Sequence, residues 1–280
     1  MAEPAASVAG AGLSTLTKRV LTALVLAAAA GAALFWVPAP GAVVFFSAVL
    51  LIGLWEWSGF LTPPRVVRRI ALCASALLFA AYLNFVYTDA VAVRPYLIGA
   101  VVWWTGLGVW LTQSNKTIGP VFIVLSAWFC LVPAWVSLRV LLDAGAGALL
   151  LLWLVSLVAA ADIGAYFTGR RWGRHKLAPR LSPGKTIEGA VGGLLCAAAV
   201  GGAGALLLEQ PPLVFILVAP LIAAVSVVGD LTVSAFKRHA GLKDTGWILP
   251  GHGGVMDRVD SLVAAAPLFV MTLSLAGILP

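Results

Sequence analysis

One stretch of the sequence reads Leu213-Val-Phe-Ile-Leu-Val-Ala-Pro-Leu-Ile-Ala-Ala-Val-Ser-Val-Val228, contains no charged side chain and leads directly into Gly229-Asp230. About 20 predominantly apolar residues are enough for a helix to cross the hydrocarbon core of a bilayer. Further apolar runs are bounded by charges, proline or glycine, and together they give the spans 20–37, 42–61, 70–87, 96–111, 118–136, 148–167, 190–208, 213–228 and 262–279. The sequence therefore predicts an all-α fold, a polytopic integral membrane helix bundle of about nine transmembrane helices.

The composition of the chain agrees with this fold class. Of the 280 residues, 61% are hydrophobic and 10% are charged, whereas soluble domains carry about 25% charged residues. High hydrophobicity also excludes a disordered chain. We expect membrane lipids among the partners of this protein and no nucleic acid.

The basic residues predict an orientation. All 18 Lys and Arg residues except Arg94 and Arg139 fall in the N-terminal tail or in every second connection after it. Cytoplasmic segments of membrane proteins carry an excess of Lys and Arg. This asymmetry predicts a cytoplasmic N-terminus and, after nine crossings, a C-terminus outside.

Two connections are longer than the others and are both predicted on the cytoplasmic side. They cover residues 168–189 and 229–261, within a C-terminal region of residues 151–280 that follows about five spans in residues 1–150. Long loops in a compact chain often carry function. We therefore expect the chemistry of this protein in the C-terminal region.

The last connection combines acidic, basic and glycine residues. Asp230 and Asp257 stand at its two ends, and the sequence predicts that they converge at the membrane surface. Carboxylate oxygens suit Mg²⁺, which often binds substrate phosphates as well. Glycine amides permit close approach to an anion. The segment predicts a metal-bridged polyphosphate site, and the alternative is a merely solvated loop. The other charged residues and the histidine of the predicted site are Lys237, Arg238, Lys243, Asp244, His252, Arg258 and Asp260. The glycines are Gly251, Gly253 and Gly254.

The other long connection is strongly basic. Ser182 and Pro183 suit the start of a helix, and this would place Lys185 and Thr186 at an N-terminus that favours phosphate. The alternative is that the basic residues hold the loop against anionic lipid. Glu56, near the end of the second span, is interpreted as a helix-end carboxylate that reaches interfacial water.

The C-terminal connection resembles the characteristic motif of a known family. Residues 234–260 are similar to the motif of phosphatidate cytidylyltransferases, also called CDP-diacylglycerol synthases, and contain Ser234, Lys237, Arg238, Lys243, Asp244, Pro250, His252, Gly253, Gly254, Asp257, Arg258 and Asp260. Residues 162–189 resemble a second motif region, with Asp162, Tyr166, Gly169, Gly173, Ser182, Pro183, Lys185, Thr186 and Glu188. Many relatives carry a second Lys where this chain has Gly184. Residues 1–150 match in hydropathy only.

The resemblance implies a reaction and a site. The reaction is transfer of a cytidylyl group from CTP to phosphatidic acid, which gives CDP-diacylglycerol and pyrophosphate for phospholipid biosynthesis. Mg²⁺ is the implied cofactor, with Asp230 and Asp257 as ligands and Asp260 as a supporting neighbour; a second cation and a homodimer are left open. The other catalytic residues are Lys237, Arg238, Lys243, Asp244, His252 and Arg258, and the substrate-binding residues are Ser182, Lys185, Thr186, Glu188, Asp162 and Tyr166. The enzyme would be a multi-pass protein of the cytoplasmic membrane, with its active site on the cytoplasmic face.

Three other functions are weighed against this one. A CTP-dependent polyprenol or dolichol kinase would share the membrane and the nucleotide. A CDP-alcohol phosphotransferase would carry a paired DxxD motif followed by GxxxDxxxD, which this sequence lacks. A membrane transporter would place ionisable groups near mid-bilayer in broken helices, whereas most acids here are predicted at one face.

Overall fold

The computed structural model describes residues 15–63, 65–86, 91–113 and 118–279. Nine α-helices lie within these ranges: α1 (Thr15–Phe35), α2 (Ala39–Trp57), α3 (Val66–Val86), α4 (Arg94–Leu111), α5 (Pro120–Asp143), α6 (Gly147–Trp172), α7 (Ile187–Leu207), α8 (Pro212–His239) and α9 (Met256–Leu275). A short 3₁₀ turn, Ser58–Phe60, follows α2, and a two-stranded hairpin of β1 (Lys176–Ala178) and β2 (Ser182–Thr186) separates α6 from α7. The predicted all-α fold is confirmed.

Seven helices of the described part are long and apolar enough to cross a membrane: α2, α3, α5, α6, α7, α8 and α9. The apolar segment Val20–Phe35 of α1 is shorter, and α4 is not among the seven. The chain is therefore a polytopic membrane protein. Its orientation remains a prediction from the distribution of Lys and Arg.

The last two helices extend beyond the predicted spans. The predicted eighth span ends at residue 228, but α8 continues to His239, and α9 begins at Met256 rather than at residue 262. The predicted loop of residues 229–261 is therefore wrong at both ends, and only residues 240–255 connect the two helices. Charged residues bound the predicted spans, but α8 continues through Asp230 and Lys237 because neighbouring elements pair their charges.

The segment before α7 also differs from its prediction. Ser182 and Pro183 were expected to start a helix, but they lie in β2, which pairs antiparallel with β1. The helix begins at Ile187, where the Thr186 hydroxyl accepts the Gly189 N–H at 3.1 Å. Thr186 is therefore the N-cap residue of α7. Pairing with β1 holds residues 182–186 extended, and the helix starts only where this pairing ends.

Glycines bring the C-terminal helices into close contact. A Cβ placed on Gly193 of α7 would lie 2.6 Å from the carbonyl oxygen of Ala161 on α6, and one on Gly229 of α8 would lie 2.6 Å from that of Asp260 on α9. Small residues let helix backbones approach closely in membrane proteins. Gly189 of α7 likewise lies against the backbone of α6, so two glycines four residues apart let these helices pack closely.

A cluster of aromatic rings joins the end of α2 to α8. Phe236 is fully buried, and the centroid of its ring lies 5.0 Å from that of Trp57, 5.6 Å from that of Phe60 and 5.9 Å from that of Phe122. The Trp57 indole also donates to the backbone carbonyl of Ile123 at 3.1 Å. This packing fixes the end of α2 next to the part of α8 that carries the predicted site residues.

Candidate active site

The most buried ion pair of the described chain joins α8 to α9. The Lys237 ammonium lies 2.7 Å from Oδ1 of Asp257, and the two side chains are 13% and 3% exposed. Oδ2 of Asp257 accepts the backbone N–H groups of Thr245 and Gly254, at 2.8 and 3.0 Å, and lies 2.9 Å from the Thr245 hydroxyl. Asp257 thus attaches the connection of residues 240–255 to the first turn of α9, where the helix dipole also favours a negative charge.

A second ion pair joins the hairpin to α8. The Lys185 ammonium lies 2.6 Å from Oδ2 of Asp230, and the two side chains are 26% and 29% exposed. Asp230 and Lys237 are two helical turns apart and lie on similar sides of α8. The hairpin therefore brings Lys185 to the same face of α8 that carries Lys237.

Two further carboxylates complete the group. Asp260 on α9 is 6% exposed and interacts electrostatically with Asp230, Lys237 and Lys185. Asp162 on α6 interacts with Lys185 and Asp230. We call these six residues the charged cluster: Asp162, Lys185, Asp230, Lys237, Asp257 and Asp260. Residues from α6, β2, α8 and α9 meet there, as expected for a site that both long connections form.

The charged cluster fits a divalent cation. Its four carboxylates face two lysines, so negative charge is in excess, and oxygen ligands are those that Mg²⁺ prefers. Within the described ranges, no group of three or more His, Cys, Asp or Glu side chains is arranged to hold a metal ion on its own. Mg²⁺ commonly binds through one or two carboxylates, with water and substrate phosphates as its other ligands. Asp230 fits this pattern best, since the bonds of Asp257 already engage both of its oxygens.

A polar cavity of about 630 Å³ lies beside the connection between α8 and α9. The predicted residues Lys243, Asp244, His252 and Arg258 all line it, together with Trp247, which is 89% exposed. Nδ1 of His252 is buried and has no hydrogen-bond partner among the described residues. These features suit a phosphorylated nucleotide: the cationic side chains of Lys243 and Arg258, the Trp247 ring and the unsatisfied imidazole nitrogen of His252.

The remaining predicted residues lie on α6, α7, α8 and the hairpin. Glu188 lies 2.6 Å from Nδ1 of His175 and also accepts the N–H groups of Arg174 and His175, while the Tyr166 hydroxyl accepts from Arg170 at 3.0 Å. Thr186 caps α7, Ser182 pairs in β2, and Arg238 is exposed. The contacts of Ser182, Thr186 and Glu188 shape the hairpin that carries Lys185 and its junction with α7. None of the described contacts brings any of these five predicted residues into the charged cluster.

The interpretation of Glu56 as a helix-end carboxylate at the interface is wrong. Glu56 does not reach interfacial water: it is 3% exposed, and its carboxylate accepts the N–H groups of Val255 and Met256 at 3.1 and 2.8 Å. The Thr245 hydroxyl lies 3.0 Å from its Oε2. The available signal was the cost of a lone carboxylate in an apolar span, which implies a partner elsewhere in the protein.

Comparisons with known proteins agree with this geometry. The family model described as "Cytidylyltransferase family" matches residues 17–276. The chain is 39% identical over 280 residues to a phosphatidate cytidylyltransferase of Haemophilus influenzae, covering 91% of this chain and 97% of the relative. It is 38% identical over 272 residues to one of Pseudomonas aeruginosa, covering 94% and 98%, and 34% identical over 265 residues to one of Brucella suis, covering 92% and 93%. Because these matches span nearly the whole sequence, the chain belongs to the cytidylyltransferase family and is a membrane nucleotidyltransferase.

Proposed function

We propose that this protein transfers the cytidylyl group of CTP to phosphatidic acid and releases pyrophosphate. The observation that carries the proposal is the charged cluster, in which Lys185 and Lys237 are held by Asp230 and Asp257 beside a basic cavity. Relatives that match nearly the full length are named phosphatidate cytidylyltransferase. The family match does not favour the lipid-kinase or transporter alternatives.

The reaction needs positioning more than a protein nucleophile. A phosphate oxygen of phosphatidic acid attacks the α-phosphorus of CTP, a new P–O bond forms, and the bond from the α-phosphorus to the pyrophosphate oxygen breaks. The attacking phosphate is already anionic, so no side chain has to remove a proton from it. The barrier arises from bringing anions together, and preorganised cations lower it. Lys185 and Lys237 are suited to this role in the cluster, and Lys243 and Arg258 in the cavity.

Mg²⁺ is part of the proposal. Asp230 and Asp257 are the predicted ligands, and Asp260, which interacts electrostatically with Asp230, is the predicted supporting neighbour. When bound, Mg²⁺ would neutralise phosphate oxygens and help to orient the triphosphate. For Asp257 to bind the ion directly, Oδ1 would have to give up its bond to Lys237. A second cation and a homodimer remain predictions.

The two substrates support a site at the membrane surface. One is a lipid and the other a soluble triphosphate, so the site must be reached from both the bilayer and water. We propose that it opens on the cytoplasmic face of the cell membrane, because the positive-inside rule places both long connections there.

Labelled CTP distinguishes this reaction from lipid phosphorylation. Purified protein in detergent–lipid micelles is given Mg²⁺, phosphatidic acid and CTP labelled at either the α- or the γ-phosphorus. We expect the α-label in the extracted lipid and the γ-label in pyrophosphate. Transfer of the γ-label to lipid would instead identify a lipid kinase, and failure of the α-label to enter lipid would contradict the proposal.

A further inference from the structure

Glu56 connects the N-terminal helices to the site. It lies in the last turn of α2, yet its carboxylate accepts two backbone N–H groups at the start of α9, those of Val255 and Met256. The N–H groups of the first helical turn have no partner within their own helix. A side chain from another helix, 199 and 200 positions earlier in the chain, therefore satisfies them.

The connection between α8 and α9 is shaped around this carboxylate. A Cβ on Gly246 or on Gly254 would overlap an oxygen of Glu56, and one on Gly254 would also overlap the Thr245 hydroxyl. Both positions therefore need glycine because of the close approach of Glu56. These contacts enclose the carboxylate in backbone on the side that faces the connection.

Thr245 links Glu56 to the charged cluster. Its hydroxyl lies 3.0 Å from Oε2 of Glu56 and 2.9 Å from Oδ2 of Asp257. Asp257 in turn holds the Lys237 ammonium at 2.7 Å through its other oxygen. A single chain of contacts thus runs from α2 through one hydroxyl to the ion pair of the site.

We propose that Glu56 is a positioning residue for cytidylyl transfer: it fixes Thr245 and the first turn of α9, so that Asp257 and Lys237 are correctly placed. This inference rests on the proposed function. Glu56 itself is enclosed by protein and acts through Asp257, not by contact with a substrate. Groups that orient catalytic side chains typically contribute 10- to 100-fold to activity.

Glu56→Met is the variant that tests the proposal. Methionine has a similar length but accepts no hydrogen bond from Val255, Met256 or Thr245. We expect kcat per folded protein to fall about 10- to 100-fold, with the KM for CTP changed less than about threefold, because misplacement affects the transition state more than ground-state binding. Glu56→Gln should recover part of the loss, since its carbonyl oxygen can still accept from Met256 and Thr245, whereas its amide nitrogen cannot accept from Val255.

Two further variants keep the test decisive if Glu56→Met folds poorly. Gly246→Ala displaces the Glu56 carboxylate without changing it, and we expect a similar loss of kcat. Thr245→Val removes the linking hydroxyl. Combined with Glu56→Met, it should reduce kcat no more than the larger single loss, because both changes break one chain of contacts. If the loss of kcat in the double variant equals the product of the two single losses, the two residues do not act through one chain of contacts.

Ser58→Ala is the matched control. Ser58 is fully buried next to the same end of α2, where its hydroxyl donates to the Trp55 carbonyl and accepts from Arg69, away from the connection. We expect normal kcat per folded protein. If wild-type protein makes no CDP-diacylglycerol, the proposed function fails. If the wild type is active and Glu56→Met keeps kcat per folded protein within about twofold, the positioning role is overturned. This holds even if the variant yields less folded protein.

Discussion

The two ion pairs of the charged cluster differ in their exposure to solvent. Lys237 and Asp257 are 13% and 3% exposed, whereas Lys185 and Asp230 are 26% and 29% exposed. Removing one partner of a buried pair leaves an uncompensated charge, and this costs more than losing a pair that water reaches. Replacing the acid by asparagine should therefore destabilise the fold more at Asp257 than at Asp230.

We expect Asp257→Asn to abolish activity and to destabilise the fold. Lys237 would lose its buried partner, at a cost of about 3 kcal/mol, whereas Asp230→Asn would cost about 1 kcal/mol. Thermal unfolding in detergent, together with transfer of α-labelled CTP to lipid, measures both effects. Full activity of Asp257→Asn would contradict its place in the site, and equal midpoints for the two variants would contradict the difference in burial.

Asp230 should determine the response to metal. We expect Asp230→Asn to need about tenfold more Mg²⁺ for half-maximal activity, because it removes the more accessible carboxylate of the two pairs. Asp143→Asn is the control, since Asp143 pairs with Arg139 away from the charged cluster. Unchanged Mg²⁺ dependence in Asp230→Asn, or full activity of the wild type in EDTA, would exclude this role.

At the scale of the elements, the close contact of α8 with α9 sets the spacing of the acids. Gly229 precedes Asp230 on α8 and lies against the backbone of Asp260 on α9. A methyl group there would meet the Asp260 carbonyl oxygen at 2.6 Å and Cβ of Ala264 at 2.7 Å. The two helices would have to separate, and the carboxylates that they carry would move apart.

Gly229→Ala therefore tests the role of this contact. We expect activity to fall about tenfold or more, as overpacking shifts the backbone beside the site. Gly99→Ala on α4 is the control, because nothing lies within 4 Å of its Cβ position and alanine favours a helix. Normal activity in Gly229→Ala would show that the two helices can adjust without disturbing the site.

The elements also show how far the sequence predicts the structure. Apolar runs located all nine helices of the described chain, because hydrophobic length is a local property. They did not show that α8 continues to His239, since Asp230 and Lys237 are paired by residues far away in the sequence. The two motif regions contain five residues of the charged cluster, and the sixth, Asp230, stands out in the sequence because it directly follows an apolar run. The contacts of Glu56 and the strand that holds Ser182 depend on tertiary packing, so the sequence does not reveal them.

At the scale of the whole molecule, both predicted regions contribute to one bundle. Helices α2, α4 and α5, which lie within residues 1–150, all pack against α9, which lies within residues 151–280. The division at residue 150 into N-terminal helices and a C-terminal catalytic region remains a prediction, and similarity to the family extends across it, over residues 17–276. It does not describe two separately packed bodies.

The predicted orientation can be tested by labelling single cysteines. In a chain whose three own cysteines are replaced by alanine, we expect Ala276→Cys to react with an impermeant maleimide in intact cells. Trp247→Cys, at the exposed residue beside the cavity, should react only after the membrane is opened. The reverse pattern would overturn the orientation that the basic residues predict.

The contact between Glu56 and the start of α9 has a consequence for biosynthesis. Glu56 emerges early from the ribosome, but Val255 and Met256 are made 199 and 200 positions later. Until the last helix has entered the bilayer, the acid has none of these donors and Lys237 lacks Asp257. A nascent chain therefore has no assembled site, and we expect catalytic competence to arise only at the final insertion step.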